Sequence, residues 1–224
     1  AVEIDKRYSE TVWVGTGEAW TRNSVSIGDG IYKTTDGGDT WQHLGLDGSE
    51  RINDIRVDPR ASDIVYACVT GRLWSDSLER GVYRTRDGGK TWQQVLKAPN
   101  ASTGCASLSM DEKNPDVLYA ALWDLRRKGW TFRSGGESPS ATSASALMVT
   151  RDGGQTWTEV TPEKNKGFAQ KPFGRIAVNV APSDSKRIYA FVESPQSALY
   201  VSDDGGATWE ARDRSQWMVW RPFY

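Results

Sequence analysis

An eight-residue pattern, Ser/Thr-x-Asp-Gly-Gly-x-Thr-Trp, occurs four times, at Thr34–Trp41, Thr85–Trp92, Thr150–Trp157 and Ser202–Trp209. The intervals between Asp36, Asp87, Asp152 and Asp204 are 51, 65 and 52 residues. Four intact copies at near-regular spacing define a repeat protein, so each copy must serve one structural unit. Within the copy, the Asp carboxylate accepts backbone N–H groups. The glycines supply positive φ, and the Ser/Thr hydroxyls close the loop. The tryptophan (Trp41, Trp92, Trp157, Trp209) is expected to pack over the hairpin and anchor it.

Each pattern is framed by short alternating runs, such as Gly81-Val82-Tyr83-Arg84 before it and Trp92–Leu96 after it, which read as a hairpin. Upstream lie two more runs, for example Ile52–Asp58 and Ile64–Ala67. Trp13, Tyr66, Tyr119 and Tyr189 hold the same place in the second run of each unit and are expected in the core. Units of four antiparallel strands and roughly 40–50 residues match β-propeller blades. The expectation is an all-β chain, one propeller segment over 1–224, with blades at about 1–46, 51–97, 104–162 and 174–213. Residues 217–224, with Trp217 and Trp220, would begin a further blade. A β-sandwich is the runner-up, but it does not call for the same turn in every unit.

The repeat resembles the Asp-box, or BNR, propellers, among them sialidases, xyloglucanase-like glycoside hydrolases, the luminal propeller of sortilin receptors and photosystem II assembly factors. Val14-Gly15-Thr16-Gly17-Glu18, Gly28–Lys33 and Leu118–Trp123 with Ser134-Gly135-Gly136 further resemble large exported bacterial BNR-repeat proteins. The resemblance implies an extracellular or periplasmic location and more blades than four. It also implies that the Asp-box is a structural turn away from any active site.

Composition excludes more than it selects. A net charge of −1 without basic or acidic blocks does not suit a nucleic-acid partner. No apolar run has the length of a membrane span. The single histidine, His43, makes a Ser-His-Asp triad or a His-based metal site a poor fit, and no metal or cofactor is expected. Cys68 and Cys105 lack metal-ligand spacing. They read as two buried thiols, or as a disulfide if their β-carbons face one another.

Candidate site residues follow from topology. In a meander the second-to-third loops share one end of every blade with the blade-to-blade links, opposite the Asp-box turn. Those loops are long: Gly17–Asp29, Gly71–Arg80 and Asp124–Ser145, with a short fourth at Glu193–Ser197. The tail Gly135–Ser145 is Ser/Gly/Pro-rich and expected to be mobile. The loops carry Trp20, Trp74, Trp123 and Trp130 beside Arg22, Arg72, Arg126, Arg127 and Arg133, a set suited to stacking on sugars or to a protein or peptide partner. Any hydrolysis would fall to a carboxylate pair drawn from Glu18, Asp29, Asp76, Glu79, Asp124 and Glu193. The expected function is a binding or scaffold module for carbohydrate or protein. A carboxylate-dependent glycoside hydrolase and a sortilin-like peptide receptor are the alternatives.

Overall fold

The structure, a computed structural model, describes residues 1–22, 24–135 and 143–215. The expected strand at 217–224, most of the Gly135–Ser145 tail and Asn23 lie outside them. The described residues contain β-strands, a 3-10 turn at Asp47–Ser49 and no α-helix.

Four antiparallel sheets repeat one meander. In the first, β1 (Val2–Ile4), β2 (Val12–Gly15), β3 (Ile31–Thr34) and β4 (Gln42–His43) pair in sequence order, and β5 (Ile52–Val57), β6 (Val65–Val69), β7 (Gly81–Thr85) and β8 (Gln93–Lys97) do likewise. In the third, β9 (Thr103–Met110) pairs with β10 (Leu118–Lys128), β10 with β12 (Ala146–Thr150), and β12 with β13 (Thr158–Glu159). The fourth runs β14 (Ile176–Ala181), β15 (Asp184–Val192), β16 (Ala198–Ser202) and β17 (Glu210–Asp213). These are propeller blades, and the chain divides into two compact units, Ala1–Leu108 and Ser109–Tyr224.

The third sheet departs from the expected pattern. Asp124 does not open a loop: β10 continues through Lys128 and turns at Gly129-Trp130 into β11 (Thr131–Ser134). Leu125 pairs with Ser134, Arg126 with Arg133, Arg127 with Phe132 and Lys128 with Thr131. Three consecutive cations hide the period-2 alternation in this stretch, so the hairpin reads as a loop from sequence.

In every Asp-box the same bonds recur. At the second, Thr85 Oγ1 donates to Asp87 Oδ1 at 2.7 Å, Gly89 N–H donates to Thr85 Oγ1 at 2.9 Å, and Thr91 donates to Asp87 through N–H (2.9 Å) and Oγ1 (2.6 Å). The first, third and fourth copies repeat this set around Asp36, Asp152 and Asp204. Both glycines have positive φ, 70° and 96° in the second copy. Donors converging on each carboxylate hold it ionised: Asp87 and Asp152 are lowered to about 2, and Asp36 and Asp204 also lie below the ordinary carboxylate value.

The box also fastens neighbouring blades. A β-carbon on Gly89 would meet the Trp13 ring at 3.0 Å, and one on Gly206 would meet Tyr119 Oη at 2.6 Å. Tyr119 Oη donates to Gly205 O at 3.0 Å. An aromatic on the second strand of one blade thus lies against the Gly-Gly of the next, an approach only glycine allows. Trp13, Tyr66 and Tyr119 are buried as expected, whereas Tyr189 is 37% exposed, because no Asp-box covers it among the described residues. The box tryptophans differ too. Trp209 is buried and Trp92 and Trp157 are half-buried, but Trp41 is 44% exposed and only bonds back to Gly38 O of its own turn.

The core of the first unit is built by Trp13, Ile31, Ile52, Ile55, Val57, Val65, Ala67 and Val69. The second unit packs Tyr119, Leu147, Phe168, Phe173, Ile176, Ile188, Tyr200 and Trp209, with Phe168 central to an aromatic cluster. Cys68 and Cys105 form a disulfide that ties β6 to β9, with their Cα atoms 5.1 Å apart.

Candidate functional site

At the link end of the first unit three segments converge: the β2–β3 loop, the turn before β5 and the β6–β7 loop. Gly28 N–H donates to Glu50 O at 2.9 Å, and Gly17 packs on the same carbonyl. The Glu79 carboxyl lies against Gly48, where a β-carbon would meet it at 2.5 Å. Trp20 and Trp74 keep 44% and 45% of their surface exposed on these loops, and Asp76 is exposed beside Trp74.

The carboxylates here are committed to local partners. Arg22 Nη2 donates to Glu18 Oε1 at 2.5 Å and Ser26 N–H donates to Glu18 Oε2 at 3.4 Å. The Arg22 hydrogen bond, above all, lowers the Glu18 pKa from its ordinary value. Tyr32 Oη donates to Asp29 Oδ2 at 2.8 Å and Thr16 Oγ1 donates to Oδ1 at 3.3 Å, which lowers Asp29. Glu79 Oε2 accepts from Ser77 Oγ at 3.4 Å. Arg72 faces Glu50, with Nε 3.6 Å from Oε1, and the buried Arg51 donates to Glu50 Oε2 at 3.0 Å. Glu50 and Arg51 belong to this cluster although sequence reading missed them. Nothing local marks them, since their role follows from the link folding under the two loops.

In the second unit three expected surface residues are interior. Trp123 is fully buried in β10, its Nε1 donating to Ser134 Oγ at 3.0 Å. Ser134 Oγ donates on to Glu193 Oε2 at 2.5 Å, and Arg175 N–H donates to the same oxygen at 2.7 Å. The Arg175 guanidinium lies over the Trp123 ring, 5.2 Å from its centroid. Trp123 cannot stack on a ligand from there; continuing β10 past the expected boundary turns its ring inward. Glu193 is 6% exposed and Asp124 2% exposed. Asp124 lies 3.9 Å from Arg126 and 3.8 Å from Arg133, and it accepts the Ala144 N–H at 3.2 Å. Hydrolytic roles for these two carboxylates do not fit groups so enclosed and so engaged. Trp130, at the tip of the β10–β11 hairpin, is the opposite case at 89% exposed.

A cavity of about 440 Å³ opens in the second unit between β13 and the following link, lined by Glu159, Thr161, Glu163, Gln170, Lys171 and Phe173 among others. Lys171 Nζ sits 2.5 Å from Glu159 Oε1. Hydrogen bonds within its own turn lower the pKa of Glu163. No signal in the sequence singled out this link. Among the described residues no three His, Cys, Asp or Glu side chains are grouped to hold a metal ion, and no helix is long and apolar enough to cross a membrane.

The family model described as "Sortilin, neurotensin receptor 3" (Sortilin-Vps10) matches residues 29–161, more than half of the chain, and the BNR/Asp-box repeat model matches residues 200–211. An oligoxyloglucan-reducing end-specific xyloglucanase of Emericella nidulans is 23% identical over 225 residues, covering 90% of this chain and 25% of that protein. A sialidase of Bacteroides fragilis is 25% identical over 160 residues, covering 60% of this chain and 29% of that protein. The crystal structure of the GH74 xyloglucanase from Xanthomonas campestris superposes with a TM-score of 0.63 at 18% identity, covering 93% of this chain and 29% of that one. The chain thus spans about a quarter of the length of the curated relatives it matches.

Proposed function

The chain belongs to the Sortilin-Vps10 family, and from that premise we propose that its blades form part of one larger propeller and act as a glycan-binding module through the link-end loops. The observation that carries this reading is the pairing of exposed indoles with polar, hydrogen-bonding loops, in which Glu18 and Asp29 are held ionised. Trp20, Trp74 and Trp130 present flat apolar faces, while Arg22, Arg72 and their acidic neighbours offer hydrogen bonds to hydroxyls. Glu18 and Asp29 have lowered pKa values, the reverse of what a general acid needs. Several relatives named for action on carbohydrates support the ligand class.

The second reading is a glycoside hydrolase. What favours it is the cavity that holds both Glu159 and Glu163. It is the weaker reading, because Glu159 is paired with Lys171 and Glu163 is held ionised. A peptide receptor, the third possibility, rests on the family match alone. The disulfide and the relatives favour an extracellular or periplasmic location, since disulfides persist in oxidising compartments.

The test is calorimetric titration with neutral xyloglucan oligosaccharides and a panel of other glycans. Binding without release of reducing ends, weakened about tenfold by Trp74→Ala, supports the module. Turnover that Glu163→Gln abolishes would replace it with the hydrolase, and silence toward every glycan would overturn both.

A further inference from the structure

The β10–β11 hairpin concentrates positive charge on one face. Arg126 stands directly opposite Arg133, and Lys128 opposite Thr131. Side chains alternate along a strand, so Asp124, Arg126 and Lys128 share a face with Arg133. Asp124 lies within reach of both guanidinium groups, at 3.9 and 3.8 Å, and it is buried at the base of the hairpin. Arg126 and Arg133 keep 42% and 36% of their side chains exposed, and Lys128 is exposed further out. The opposite face holds Arg127 over the Phe132 ring at 5.9 Å. Trp130 crowns the turn at 89% exposed.

Like charges placed directly across a strand pair destabilise it, and a two-stranded ribbon is marginal to begin with. Such a row is a cost to folding that a bound anion would offset. The hairpin ends in an indole, Trp130, that is 89% exposed. Protein interfaces also use Trp and Arg, but they set them in an apolar centre depleted of lysine, and here Lys128 lies between the arginines and the indole. A sugar ring stacks on an isolated indole, and a planar carboxylate fits the guanidinium fork.

We propose that the β10–β11 hairpin is a binding arm for an acidic oligosaccharide, a glycan whose sugars carry carboxylates. The proposal rests on the glycan-binding reading above and narrows it to a ligand class. Arg126 and Arg133 hold one carboxylate, Lys128 extends the cationic track toward the tip, and Trp130 stacks on a ring.

The experiment titrates the whole chain with polygalacturonate, with its fully methyl-esterified form and with polyglutamate, at low and moderate salt. The expected result is binding of polygalacturonate that falls with salt, with the ester and the polypeptide at least about tenfold weaker. Lys128→Glu and Trp130→Ala, both at exposed positions, should each weaken that binding about tenfold while leaving the melting temperature unchanged. Equal binding of the ester, or insensitivity to Lys128→Glu, overturns the acidic class. Binding of polyglutamate as tight as polygalacturonate overturns it in favour of an acidic protein. If the chain ignores polygalacturonate yet binds neutral xyloglucan oligosaccharides through Trp74, this inference fails and the broader reading stands; if it binds neither, both fail.

Discussion

The indole of Trp92 meets that of Trp13 edge to face, with ring centroids 6.4 Å apart and planes at 87°, and its Nε1 donates to Leu44 O at 2.8 Å. One residue of the second Asp-box thereby grips two residues of the first blade. Trp41, the same residue of the first box, has its Nε1 bonded to Gly38 O and stays 44% exposed. Trp92→Ala should therefore cost about 3 kcal/mol, the low end for truncating a packed aromatic, because the ring is half-buried. Trp41→Ala should cost less than about 1 kcal/mol, as a surface substitution does. Urea unfolding of the two variants checks this, and equal losses would refute the assignment of Trp92 as an interblade anchor.

The Asp-box carboxylates impose a pH dependence of known sign. Asp87 is held at about 2, against an unfolded value of about 3.9. A depressed native pKa gives stability that is complete above the unfolded value and is lost as pH falls through the native one. Asp87→Asn should be less stable than the parent at pH 6, and the difference should shrink between about pH 4 and 2. Unfolding midpoints measured at both ends of that window are the readout. A difference independent of pH would mean that the box is held by shape and not by ionisation.

Reduction of Cys68–Cys105 should weaken the first unit by about 3–4 kcal/mol, the loop-entropy value for the 37-residue separation. Thermal unfolding with and without reductant tests this. The Cys68→Ser/Cys105→Ser double variant should match the reduced protein and show no further response to reductant.

The Trp123–Ser134–Glu193 chain makes a separate prediction for the second unit. Ser134→Ala leaves the buried Trp123 Nε1 and one Glu193 oxygen without their hydroxyl partner. The expected cost is about 1–3 kcal/mol. Near-ultraviolet circular dichroism would detect the loosened indole, and an unchanged spectrum with unchanged stability would remove the chain from the account.

The blades were legible because an Asp-box is local chemistry. Asp87, its two hydroxyl donors and two glycines lie within seven residues, so sequence alone contains the turn and its position in the meander. The site was less legible because it depends on where strands stop. Trp123 and Asp124 sit one residue apart at an assumed strand end, and extending β10 to Lys128 moves both from surface to interior. Glu50 and Arg51 entered the cluster through a link that only folding brings beneath the loops. The cysteine pair stayed open in the sequence because bonding depends on β-carbons facing each other across β6 and β9, which no spacing rule specifies.

The contact between a second-strand aromatic and the Gly-Gly of the following box has an evolutionary consequence. Trp13 against Gly89 and Tyr119 against Gly206 behave as key and socket, and each repeat encodes one of each. A tandem duplication of such a segment supplies its own fastening, so array length can change by copying alone. The fastening lies at the Asp-box end of the blade, so insertions at the far end leave the key and socket untouched. The 65-residue spacing that accommodates the β10–β11 hairpin is an insertion of that kind. Selection can thus vary the far-end loops and the length of the array as two independent characters.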